Sequence, residues 1–129
     1  MSEAMVGKAV QAELSERPRG SAGCAQSYVR RDPGVVFMFE KGILTRIDLA
    51  DAHHVTLRGL RIGDSERRAR ELYSGGYEET PHKYVEGGRY LTIRSTDKRY
   101  ALVVETDGRF VTRLHAGAVP SAEYVEGCG

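Results

Sequence analysis

Val35-Val36-Phe37-Met38-Phe39-Glu40-Lys41-Gly42-Ile43-Leu44-Thr45-Arg46-Ile47-Asp48-Leu49 reads as two β-strands joined by a tight turn. Its first half is rich in the β-branched and aromatic residues that suit a pleated, half-buried surface. Lys41-Gly42 turns the chain, and Ile43 to Leu49 alternates apolar with polar side chains, the period of a strand with one face on a core. Upstream, Tyr28-Val29-Arg30 reads as a short strand before an Asp32-Pro33-Gly34 turn, and residues 17 to 23 form a loop by composition. Downstream, Arg89 to Ser95, Tyr100 to Thr106 and Arg109 to His115 read as three strands of an antiparallel meander, joined by Ser95-Thr96-Asp97-Lys98 and Asp107-Gly108.

Two helical patterns accompany the strands. Val6, Val10 and Leu14 recur at i, i+4 and i+8, which predicts an amphipathic helix over 4–16 ended by Arg17-Pro18. After Gly63, Asp64 or Ser65 can cap a helix whose apolar stripe is Ala69, Leu72 and Tyr73. Glu66/Arg70 and Arg67/Glu71 form i,i+4 pairs on it, and Ser74-Gly75-Gly76 ends it.

The hairpin also recurs. Phe39 to Ile47 lies over Val104 to Leu114, with two extra residues around the second turn, and the Thr-Arg-apolar step of Thr45-Arg46-Ile47 returns 67 residues later as Thr112-Arg113-Leu114. Each copy follows a helix. The expectation is an α+β fold in one domain over 1–129: an antiparallel sheet with helices packed on one face, built from two tandem helix-plus-hairpin repeats at 4–50 and 59–117, with a C-terminal tail at 118–129.

Composition narrows the function. Across 129 residues, 19 Lys+Arg stand against 18 Asp+Glu, a net charge of +1 that offers no field for steering nucleic acid or an anionic membrane. The longest uncharged apolar run, Gly34 to Phe39, is far too short for a membrane span. The basic residues are 15 Arg and 4 Lys, and Asn is absent, a bias that fits a GC-rich bacterial genome. The start, Met1-Ser2-Glu3-Ala4, has no basic or apolar leader region, so the chain is expected either to stay in the cytoplasm or to be a mature form without its signal. Cys24 and Cys128 are too few for a zinc site. Either they form an extracytoplasmic disulfide closing nearly the whole chain or they are two unrelated thiols.

The polar residues give no catalytic signature. His53, His54, His82 and His115 lack metal-ligand spacing, the adjacent pair at 53–54 falls in a loop between hairpin and helix, the four are read as solvated rather than metal-binding, and Glu78-Glu79 beside His82 reads as wet surface rather than a cation site. A nucleophile such as Ser65 or Ser95 with His115 lacks a Gly-x-Ser-x-Gly elbow, and Gly75-Gly76 and Gly87-Gly88 read as turns, not phosphate loops. No catalytic residue, metal or cofactor is assigned.

Strand parity is more informative. It places Phe37, Phe39, Ile43, Ile47, Leu91, Ile93, Leu102, Val104, Phe110 and Leu114 against the helices. The opposite face then carries Met38, Glu40, Arg46, Asp48, Tyr90, Thr92, Arg94, Val103, Glu105, Arg113 and His115, a mix that suits a protein interface. Its centre, Arg46, Tyr90, Arg94 and Arg113, is the expected protein-binding site, weighed against an ordinary solvated face with cross-strand Arg/Glu pairs.

Gly59-Leu60-Arg61-Ile62-Gly63-Asp64-Ser65-Glu66, running into a helix with Ala69 and Leu72, resembles the Gly-x-x-x-Gly-x-Ser/Thr opening of small bacterial envelope domains of the SmpA/OmlA and β-lactamase-inhibitory-protein types. Pro81-His82-Lys83-Tyr84 and Tyr124-Val125-Glu126-Gly127-Cys128 resemble segments of secreted bacterial proteins. The resemblance implies helices on an antiparallel sheet, tandem units, and a sheet face that binds an enzyme. It carries over no contact residue. The expected function is therefore a secreted or periplasmic protein-binding module, an enzyme inhibitor or an envelope assembly factor, rather than an enzyme. The alternatives are an envelope-located enzyme or small-ligand binder, and a structural domain of a larger protein.

Overall fold

In the computed structural model, residues 1–11, 14–16 and 23–128 are described. The chain runs α1 (Glu3–Ala9), β1 (Leu14–Glu16), β2 (Cys24–Val29), β3 (Asp32–Glu40), β4 (Ile43–Leu49), α2 (Glu66–Leu72), β5 (Glu78–Pro81), β6 (Arg89–Arg94), β7 (Tyr100–Thr106) and β8 (Val111–Ala118), then a single 3-10 turn at Ser121–Glu123. All strands join one antiparallel sheet in the order β1-β2-β3-β4-β8-β7-β6-β5. The α+β class and the antiparallel sheet are as expected, with the β3–β4 hairpin and the β6–β7–β8 meander in place. β1 and β5 lie at the two edges. β5, Glu-Glu-Thr-Pro, carries the charges and the proline that blunt an edge strand, which is why no alternation announces it.

Both helices start alike. Ser2 and Ser65 cap them, their hydroxyls accepting from the backbone N–H of Met5 and Arg68, with Glu3 and Glu66 in the first turn. The only buried residues of the two helices are Val6 and Ala69. Just before α1 the Met1 carbonyl accepts from Leu44 N at 2.6 Å, and just before α2 the Asp64 carbonyl accepts from Val111 N at 2.8 Å. Helix α1 covers Val29, Phe37 and Phe39, whereas α2 covers Leu91, Val104, Val111 and Leu114 together with Leu60 and Tyr73.

Three details depart from the sequence reading. The first helix ends at Ala9, not Glu16: Gln11 takes a φ of 56° and Leu14 returns in β1, opposite Val29. Leu14 still reaches the same apolar cluster as Val6 and Val10, but from a strand, so one spacing served two kinds of element. Asp32-Pro33-Gly34 opens β3 instead of forming the turn, which falls at Arg30-Arg31. The loop expected at 17–23 lies outside the described residues but for Gly23.

The third departure concerns parity. Ile43 and Phe110 are about half exposed, and Leu44 and Val111 take their places against the helices. A register shift between Met38 and Phe39 in β3 opposite β4, and another between Glu105 and Thr106 in β7 opposite β8, moves each strand start by one residue and so to the other face. The two shifts are 67 residues apart, as are Arg46 and Arg113, the partners just before them, so no insertion separates the two hairpin turns.

A disulfide joins Cys24 on β2 to Cys128. Because β3 and β4 lie between β2 and β8, the chain after Ala118 must cross the sheet to reach its partner, about 14 Å for three strand spacings. It crosses on the face away from the helices, touching β4, β7 and β8 through the 3-10 turn and ending beside Met38. The expected tail is thus a strap. No helix among the described residues is long and apolar enough to cross a membrane.

Candidate functional site

Under the strap lies a buried array of charges whose members come from alternate positions of neighbouring strands. Period-2 geometry sends Arg46 and Asp48 of β4, Glu105 of β7 and His115 of β8 to the same face, and antiparallel register sets Asp48 opposite His115 and Val103 opposite His115 in turn. Arg46 is 3% exposed. Its Nε donates to Asp48 Oδ1 at 2.5 Å, and its Nη1 donates to the carbonyls of Ser121 at 3.3 Å and Tyr124 at 2.6 Å. One guanidinium thereby pairs a strand carboxylate and pins the strap.

His115, also 3% exposed, presents Nδ1 to Glu105 Oε2 at 3.4 Å and to Asp48 Oδ1 at 4.0 Å. The other Glu105 oxygen faces His82 Nε2 at 2.9 Å. His82 Nδ1 accepts from the backbone N–H of Tyr84 at 3.0 Å and of Val85 at 3.2 Å, so Nε2 carries the proton and donates to Glu105. The ring stacks on Tyr90 at 4.5 Å, and the Tyr90 hydroxyl accepts from Lys83 N at 3.2 Å. Burial alone would push the Glu105 carboxyl up, but the hydrogen bonds from His115 and His82 and the charges nearby outweigh it and hold the group below the usual carboxylate range. Among the described residues, no buried side-chain nitrogen or oxygen lacks a partner. A fully satisfied array of this kind rigidifies what it joins. Both nitrogens of His82 are committed, which makes it a brace for the 82–85 turn rather than a free base.

At the strap's outer edge, Arg94 grips Glu123 with both forks, Nε to Oε2 at 3.0 Å and Nη2 to Oε1 at 2.6 Å, and reaches Glu78 through Nη1 at 3.1 Å. This bidentate pair lowers the Glu123 carboxyl and raises the Arg94 guanidinium. Ser121 donates to Glu40, and the Tyr84 hydroxyl donates to Glu126. Between strap and sheet remains a cavity of about 340 Å³ lined by Thr80, Tyr90, Thr92, Val103, His115 and Tyr124, among others.

Against the expected protein-binding set, the four residues separate. Arg46 and Tyr90 face the expected side but are buried beneath the strap and the 82–85 turn, so neither is open to a partner. Arg94 is half-buried in its carboxylate pairs, and Arg113 alone is exposed. The correction has one physical cause: a sheet face inferred from parity alone carries no information on what later chain covers it. Among the side chains exposed above this face are four large apolar or aromatic ones: Tyr84, Val85, Tyr124 and Val125. They sit on the 82–86 loop and the strap, tied together by the Tyr84–Glu126 bond.

No family model, curated protein or solved structure matches the chain. Its chemistry must therefore be read from its own residues. Ser65 caps α2 and the Ser95 hydroxyl bonds Asp97 in the β6–β7 turn, so each candidate nucleophile has its hydroxyl engaged away from the buried array. His53 and His54 each meet a different aspartate: His53 Nδ1 lies 3.3 Å from Asp51 Oδ1, and His54 Nε2 lies 2.5 Å from Asp32 Oδ2. Asp32, Asp51 and His53 bring one ligand atom each within 4.8 Å of one another, a grouping the sequence spacing does not announce because Asp32 enters from β3. Asp32 is hydrogen-bonded by His54, and Asp51 accepts from the His53 backbone N–H at 3.1 Å, so each carboxylate already has a partner.

Proposed function

We propose that the chain is an extracytoplasmic protein-binding module, and that its contact surface is the outer side of the strap together with the 82–86 loop. The observation that carries this reading is the cluster Tyr84, Val85, Tyr124 and Val125, exposed apolar and aromatic side chains mounted on a base that the Arg46–Asp48, Arg94–Glu123 and Cys24–Cys128 links hold rigid. Exposed aromatics on a pre-organised platform are the usual anchors of protein recognition, since little ordering entropy is lost when they dock. The flanking Lys83, Glu86 and Glu126 supply a polar rim. A partner would be blocked or held by occlusion, as in an inhibitor or an assembly factor.

Duplication belongs to the same reading. The two Ser-capped helices, the Leu44–Met1 and Val111–Asp64 backbone bonds, and the equivalent register shifts all support two tandem units of a helix followed by four strands. The β4–β8 joint supports it further: Asp48↔His115 is flanked by Ile47↔Ala116 and Leu49↔Leu114, so the pairing is symmetric for positions 67 residues apart. Such a plan fits the tandem envelope domains that Gly59 to Glu66 resembles, and a disulfide fits an oxidising compartment.

The test is affinity capture from a bacterial envelope fraction with the full chain, beside the Tyr84→Ala/Tyr124→Ala and Arg113→Ala variants. A protein retained by the wild type and by Arg113→Ala, and weakened about 30-fold or more by the tyrosine pair, supports the assignment, the size expected of a true anchor. Equal retention by all three refutes it.

A further inference from the structure

The helix-packed face of the sheet is covered at its flanks and open at its centre. Each helix has seven residues, about 10 Å of length, against a sheet roughly 35 Å wide at eight strands. Between the parts of the sheet that the helices cover, Leu44, Ile47 and Leu49 of β4, Leu102 of β7 and Ile93 of β6 are only half-buried, whereas Val104 and Leu91 under α2 are closed. Central strands normally hold the driest part of a core. Here two cavities, of about 580 Å³ and about 500 Å³, share Ile47, Ile93, Leu102 and Ala116 as a common floor and so form one groove over the sheet. Leu57, fully exposed at 109%, stands on its rim.

Of the arginines that line this groove, one keeps its charge on the groove side. Its charged lining residues are Arg46, Arg58 and Arg94, with no carboxylate among them. Arg46 and Arg94 turn their guanidinium groups to the strap side, on Asp48 and Glu123. Arg58 stays on the groove side: it donates to the Leu72 carbonyl at 2.9 Å and lies 5.2 Å over the Tyr73 ring. Among the described residues it has no carboxylate in ion-pair reach, and the Tyr73 and Thr56 hydroxyls, bonded to each other at 2.7 Å, line the cavity beside it. An open apolar groove of this volume with a few polar groups gathered at one end suits an elongated amphiphile laid along it.

We propose that this groove binds a free long-chain carboxylate, its alkyl chain along Ile47, Ile93, Leu102 and Ala116 and its carboxylate on Arg58. Neutral or cationic amphiphiles leave the arginine unpaired or repelled. The site lies on the opposite side of the sheet from the strap and stands apart from the protein-binding reading.

Displacement of bound cis-parinaric acid from the full chain tests it, with laurate, myristate, palmitate, hexadecanol and hexadecyltrimethylammonium as competitors. Palmitate should displace the probe saturably at one site, with affinity rising about fourfold per methylene through the series, and hexadecanol should be at least about tenfold weaker. Arg58→Gln should bring palmitate to the level of hexadecanol and leave hexadecanol unchanged, and Leu102→Trp should weaken both. Should Leu102→Trp fail to fold, Arg58→Gln, a surface change, still decides the matter. Absence of saturable displacement, equal binding of acid and alcohol, or a ligand-free dimer in sedimentation that palmitate does not dissociate would each overturn the assignment, the last giving the groove to a second copy of the chain.

Discussion

Replacing both cysteines, as Cys24→Ser/Cys128→Ser, removes a link across 104 residues, and its cost can be worked from that separation. Loop-closure entropy for a loop of this length amounts to about 4.7 kcal/mol at most, and native disulfides typically contribute about 2–4 kcal/mol. The structure argues for the upper part of that span. The bridge is the far anchor of the strap, packed with Met38, and the strap in turn supplies the two carbonyls that complete the Arg46 guanidinium. Once the strap frays, Arg46, Asp48, Val103 and His115 lose their cover. Urea unfolding should therefore show a loss of about 3–5 kcal/mol with a shifted midpoint. Because the cross-link also compacts the unfolded chain, the slope should rise in the variant. In the wild type, thiol alkylation should label neither cysteine until reductant is added. A loss under about 1 kcal/mol would refute the reasoning, since it would mean that neither the closed loop nor the strap contributes to the folded state.

Further outcomes follow from the buried array and the strand joint. Arg46→Ala leaves Asp48 buried without its cation and should cost about 3–5 kcal/mol in denaturant unfolding, with the double variant Arg46→Ala/Asp48→Ala costing less than the sum of the two single changes. Gly117→Ala should destabilise by more than about 1 kcal/mol, because a Cβ there would stand 2.0 Å from the Thr45 carbonyl oxygen and 2.7 Å from Arg46 Cα, both backbone atoms of the neighbouring strand. Glu105 is held below the ordinary carboxylate range, so the unfolded chain takes up its proton at higher pH than the folded one. Its contribution to stability is fully present above about pH 5 and is lost as pH falls through the folded value, and Glu105→Gln should flatten stability measured between roughly pH 5 and pH 2.

Much of this architecture is legible in residue order because period-2 alternation and turn chemistry are local. Ile43 to Leu49 and the three downstream strands needed no tertiary knowledge, and Ser65 with Glu66/Arg70 marked α2 at its observed place. Alternation alone misplaces Ile43 and Phe110, because a register shift is a property of two strands together, invisible in either alone. Leu14 reads as helical because its spacing from Val6 and Val10 suits a helix, while its contact with the same cluster comes from an edge strand too short to alternate. Parity put Arg46, Asp48, Glu105 and His115 on one face correctly, yet could not show them under cover. One signal did point that way: a bond from Cys128 to Cys24 obliges the last residues to cross the sheet, so the pairing and the closed face are one fact once strand order is known. The convergence of His82 on Glu105 had no such signal, since it depends on a turn whose only local marks are Pro81 and two glycines.

The most direct measurement of the protein-binding assignment is site-specific photo-cross-linking in the envelope fraction, with a benzophenone amino acid placed in turn at Tyr84, Tyr124, Arg113 and Leu57. Tyr84 and Tyr124 share one exposed patch on the strap side, Arg113 is exposed on that side in β8 opposite Glu105, and Leu57 stands on the groove rim of the other face. The expected result is one and the same protein adduct from Tyr84 and Tyr124, with none from Leu57 and little from Arg113. Adducts from Leu57 or Arg113 with none from the two tyrosines, or no protein adduct at any of the four, would contradict it.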